Sequence, residues 1–133
     1  VQKLVLDDSS AVRRECAIAL RHDKSKQAAK LWAELAALHD GKDRWYLEAL
    51  GLSSDLNADA CFEAWLSKVG DKWNTPSGRD VIWRVRAKSA PNYLIKILKD
   101  EKIPSASHPR FVRALDFHSG PERDKALESL LDI

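Results

Sequence analysis

Apolar positions along the chain recur at helical spacing, and almost every run carries its own start or stop signal. In "DDSSAVRRECAIAL", Val12, Cys16, Ala19 and Leu20 fall at i, i+4, i+7 and i+8, one stripe on one helix, with Asp8 or Ser9 placed to cap it. "KQAAKLWAELAALHD" sets Ala28, Leu31, Trp32, Leu35 and Leu38 on one face, with His39 in the last turn and Gly41 as a left-handed terminator. "DRWYLEALGL" offers Trp45 or Tyr46, Leu47, Ala49 and Leu50 inward, and Gly51 is read as its end. Asn57 stands where a cap belongs before the stripe Cys61, Phe62, Trp65, Leu66 and Val69, which Gly70 stops.

The second half uses proline as its punctuation. Thr75 with Pro76, Ser89 with Pro91 and Ser107 with Pro109 each put a hydroxyl cap ahead of a residue whose missing N–H costs a helix start nothing. Ser119 and Glu122 have capping-box spacing before "RDKALESLL". The pattern predicts eight helices in four pairs and no strand, because β-branched residues nowhere alternate with polar ones over a strand length. First helices start near residues 9, 43, 77 and 109. That is a period of about 30 to 35 residues, the range of helical repeats. The expectation is an all-α chain, one α-solenoid domain over 1–133 built as about four antiparallel helix pairs.

The residues Asp7, Ser9, Val12, Arg13, Cys16, Ala19 and Leu20 resemble a short HEAT repeat of the kind shared with phycobilisome-lyase repeats. Ala-Leu returns at Ala49-Leu50 and Ala114-Leu115, whereas "RDVIWRVRA" keeps less of the pattern. The resemblance implies an armadillo-type superhelix and, more remotely, a bilin-lyase-like activity. "DGKDRWYLEALG" is also similar to HEAT segments of large planctomycete-type proteins that join a predicted membrane-bound dehydrogenase propeller to a c-type haem domain. That likeness implies a spacer or docking segment, since the haem-attachment CxxCH is missing from these residues.

Composition narrows the picture. Apolar residues are 44% and charged residues 32%, which excludes a disordered chain, and no apolar run reaches membrane-spanning length, so this segment is expected to make no membrane contact. The chain begins at Val1 and has no methionine, so it reads as a piece of a longer protein, which leaves its location, cytoplasmic or periplasmic, open. Cys16 and Cys61 both fall on apolar faces and read as buried free thiols. Net charge is +2, but residues 1–66 hold nine Lys/Arg against eleven Asp/Glu and 67–133 hold thirteen against nine.

No catalytic constellation emerges, and neither a metal nor a cofactor is expected. His22-Asp23 and His39-Asp40 lie at helix ends, His108 and His118 lack a ligand partner at motif spacing, and no phosphate loop or GxSxG elbow occurs. The candidate binding residues are Arg14, Trp73, Trp83, Arg84, Arg86, Arg110 and Arg113. The arginines fall on first helices, where stacked repeats would align them into a basic ridge; alternatively each staples its repeat to a neighbouring carboxylate or carbonyl, the reading favoured for Arg13. Trp32 and Trp65 read as core, and Trp73 as a plug over a gap between helices or an exposed anchor.

Two functions follow as expectations. One is a non-enzymatic scaffold that binds another protein or other domains of its own chain. The other is a nucleic-acid-binding domain in the manner of HEAT-like alkylpurine DNA glycosylases, carried by Trp83, Arg84, Arg86, Arg110 and Arg113. The near-neutral charge counts against nucleic acid, because phosphate contacts supply most such affinity.

Overall fold

A computed structural model describes residues 3–131, and every regular element among them is helical. The α-helices are α1 (Ser10–Ala19), α2 (Lys26–Ala37), α3 (Arg44–Ser54), α4 (Ala58–Val69), α5 (Pro76–Arg84), α6 (Ala90–Leu98), α7 (His108–Ala114) and α8 (Pro121–Leu130). Helices α1, α3, α5 and α7 touch in series, while α2 packs on α4 and α6 on α8. Helix α4 reaches α6 through Phe62 and Tyr93, whose rings meet edge to face at 5.4 Å. One apolar cluster runs through the stack, from Cys16 and Trp32 to Leu94 and Phe111.

Local signals explain part of this. Ser9 caps α1 by accepting from the Val12 N–H, and Thr75 caps α5 by accepting from the Gly78 N–H. Two further caps, Ser25 on Ala28 and Asp43 on Tyr46, follow the same rule. Gly70 ends α4 with φ +55°, a conformation that favours glycine.

Elsewhere tertiary contacts override the punctuation. Gly51 does not end its helix; α3 continues to Ser54, where the Ser53 and Ser54 hydroxyls bond back to the Leu50 and Gly51 carbonyls. Gly41 is left-handed, at φ +80°, but lies beyond the α2 cap residue Leu38. Helix α5 stops at Arg84 because Arg86 turns back on it, Nη1 donating to the carbonyls of Trp83 and Arg84 at 3.1 and 2.8 Å. Asn57, Ser89 and Ser107 occupy cap positions without making the side-chain bond, and Ser107 donates to the Pro104 carbonyl instead. The cap residue of α8 is Gly120, so the Ser119–Glu122 box does not form. On α1, Ala17 takes the buried place expected for Ala19, which is exposed, and Leu38 is exposed on α2.

Candidate interaction surface

The arginines expected to form a ridge are spent largely within the molecule. Arg84 is only 12% exposed and holds Asp55 with both guanidinium nitrogens, at 3.2 and 3.3 Å, while its Nε lies 3.7 Å from Glu48. Its head fills the space Gly51 leaves open: a Cβ at Gly51 would stand 2.2 Å from Arg84 Cζ. This fork-on-carboxylate pair ties α5 to α3. Arg86 caps α5 and lies over the Phe117 ring at 4.4 Å; burial first, then the charge of Arg84, holds its pKa below the ordinary value. Arg13 donates to the Asp7 carbonyl of its own entry loop at 2.7 Å and sits over the Tyr46 ring of α3. Arg14 reaches the start of α3, 3.8 Å from the Asp43 that caps it. Arg113 is exposed and forms no ion pair among the described residues.

Asp80 of α5 joins α7 and the residue that follows the α2 cap. Arg110 of α7 donates to its Oδ1 at 2.8 Å, and His39, 41 residues earlier, meets its Oδ2 at 3.0 Å. Burial pushes the Asp80 carboxyl up, but the bonds and charges of His39 and Arg110 outweigh it and leave the pKa below the usual carboxylate value. An ionised Asp80 accepts, so the proton on His39 belongs on Nε2. A groove of about 430 Å³ opens beside this node, with His39, Lys42, Arg44, Asp80, Trp83 and Arg110 among its lining residues. Arg110 stacks on Trp83, with 4.5 Å to the ring centroid, so the aromatic candidate and the basic one cover each other.

The tryptophans divide by environment. Trp32 and Trp65 are core, Trp32 donating to the Leu50 carbonyl at 2.9 Å. Trp73 is half-buried against Tyr93 at 5.2 Å, edge to face, and so fills a gap between α4 and α6. For Trp45 the sequence left open whether it or Tyr46 turns inward. Tyr46 points inward, hydroxyl on the Leu35 carbonyl, and Trp45 is 68% exposed.

Around Trp45 the surface is apolar. Ile18 of α1 is 46% exposed and Leu52 of α3 is 42% exposed, and between them the small Ala49 forms the floor of an open hollow bounded by Arg14 and Glu48. A signal for this patch existed in the spacing: Trp45, Ala49 and Leu52 recur at i, i+4 and i+7, a second apolar stripe alongside the inward one. Both cysteines are buried and unpaired, and burial pushes the Cys61 thiol up to about 12, which keeps it inert. Among the described residues no group of three or more His, Cys, Asp or Glu is placed to hold a metal ion, and no helix is long and apolar enough to cross a membrane.

Comparison with protein-family models, with curated proteins and with solved structures finds no match to this chain.

Proposed function

We propose that the chain is a HEAT-like α-solenoid working as a non-enzymatic scaffold for another protein or for other domains of its own chain. The observation that carries this reading is the apolar hollow of Ile18, Trp45, Ala49 and Leu52 on two successive first helices. A tryptophan this exposed, set among aliphatics and rimmed by charge, has the make-up of an interface anchor. The serial contacts of α1, α3, α5 and α7 support the solenoid, as do the staples Arg14 to Asp43, Arg84 to Asp55 and Arg110 to Asp80, each from one first helix to its neighbour.

The nucleic-acid alternative draws less support from the same residues. Arg84 and Arg110 are paired with carboxylates and Arg86 with carbonyls, which removes most of the positive charge a phosphate backbone would meet.

Photo-cross-linking from position 45 of the full-length protein in its native cells tests the scaffold. A discrete adduct is expected from that position and none from the exposed Glu63 of α4. Equal, diffuse labelling from both positions would remove the proposal.

A further inference from the structure

Helix α8 packs on α6 with little to hold it there. Within α8 only Ala126 is buried and Leu130 partly so, while Leu127 and the following Leu131 are exposed. Its side-chain bonds stay inside the helix: Ser129 donates to the Ala126 carbonyl, and Arg123 lies 3.2 Å from Asp124. Among the described residues no hydrogen bond or ion pair ties an α8 side chain to another element. Elsewhere the helices are stapled. Lys68 of α4 holds Glu34 of α2 at 3.0 Å, the Lys88 N–H ahead of α6 donates to Asp59 of α4 at 2.8 Å, and Arg84 and Arg110 join α5 to α3 and α7 to α5. A helix as short as α8 is marginal in water by itself, so it keeps its shape only while docked. The joint that leads into it is open as well. Gly120 has φ +98°, supplies no side-chain cap, and has nothing within 4 Å of the place a Cβ would take.

What α8 covers is apolar. Tyr93 marks the side of α6 that meets α4, through Phe62. Pro91, Ile95 and Leu98 recur at i, i+4 and i+7 on the side of α6 away from Tyr93, and all three are buried. Helices α5 and α7 pack between those two sides, against Ala90, Leu94 and Ile97, which leaves α8 as the helix over the stripe. We infer that α8 is a detachable strap: it lifts from α6 about the joint at His118 to Gly120, without unfolding the other helices, and uncovers the stripe of Pro91, Ile95 and Leu98. Closed, the strap masks an apolar face of α6; open, it presents that face. Segments that move for a function come from the least anchored part of a fold, and α8 is such a part. The stripe is separate from the Trp45 hollow, which lies on α1 and α3, so neither reading depends on the other.

Native-state hydrogen exchange of the full chain, read residue by residue, tests the strap. Amides of residues 125–130, bonded within α8, should exchange at least about a hundredfold faster than those inside α2 and α4, and low urea should leave their rates unchanged, because a local opening exposes little surface. The amides of α6 should keep the protection of α2 and α4. A thiol placed in the stripe reads the uncovering directly, against a background of two buried native cysteines. Starting from Ile95→Cys, the addition of Ala126→Glu, which sets a charge at the one buried position of α8, should speed alkylation of the new thiol by iodoacetamide at least about tenfold while α2 and α4 stay protected. Residues 125–130 that exchange together with α2 and α4, and accelerate with urea as they do, would show that α8 opens only with the whole molecule and would overturn the strap. So would a thiol at position 95 whose alkylation Ala126→Glu leaves unchanged, or a loss of protection in that variant that spreads to α2 and α4.

Discussion

Arg110 donates to Asp80 at 2.8 Å across 30 residues of chain, joining α7 to α5 on an aspartate that His39 holds from the other side. The arrangement makes Asp80 a shared anchor, and a shared anchor is costly to remove.

Asp80→Asn keeps the shape and removes the charge that both partners face. Its side chain is 16% exposed, so the loss is expected to reach about 2 to 3 kcal/mol by urea unfolding at neutral pH. The pH dependence has a definite sign. The folded pKa of Asp80 lies below the unfolded one, so its contribution is present above the ordinary value of 3.8 and is lost as pH falls through the lower folded value. The asparagine variant should therefore lose less stability than the parent below that pH.

His118 acts in the same direction, in a higher pH window. Burial, then the charge of Arg86, depresses its pKa from 6.5 to about 4, and its Nε2 has no partner. The unfolded chain binds the proton first, so stability falls as pH drops from 6.5 toward 4, by up to about 3 kcal/mol from this residue. Denaturant titrations at several pH values should show His118→Leu with a flatter slope across that window; an unchanged slope would refute the assignment.

Two glycines make contrasting demands. A Cβ at Gly78 would stand 1.9 Å from the Trp73 carbonyl oxygen, which is backbone and cannot swing aside, so Gly78→Ala should cost about 2 kcal/mol or more. At Gly51 the obstacle is the head of Arg84, which can move. Gly51→Ala should cost less, and its signature is that the coupling between Arg84 and Asp55, measured by a double-mutant cycle, disappears.

The five tryptophans rank themselves by burial. Trp32→Ala and Trp65→Ala should each cost about 3 to 5 kcal/mol, whereas Trp45→Ala should stay within about 0.5 kcal/mol of the parent. Thermal and urea unfolding of the three variants would rank them, and a severe loss at Trp45 would show that it belongs to the core.

How far the fold could be read follows from the range of each signal. Apolar stripes at helical spacing and hydroxyl or proline starts act within a few residues. The eight helices, their order, the cap residue Thr75, the α1 cap as one of Asp8 and Ser9, and the inward positions of Trp32, Cys61 and Trp65 were therefore determined by the sequence itself. Partnership was not determined in that way. Arg84 finds Asp55 across 29 residues and His39 finds Asp80 across 41, and those matches exist only once α3, α5 and α7 lie side by side. The same packing lets α3 run through Gly51, because the missing Cβ seats a guanidinium from α5. It also settled which neighbour turned inward. Tyr46 and Trp45 are both large, aromatic and adjacent, and only the position of the Leu35 carbonyl, which accepts the Tyr46 hydroxyl, left Trp45 outside. Local periodicity thus specified the helices, and the ion pairs and the exposed patch arose from the contacts between them.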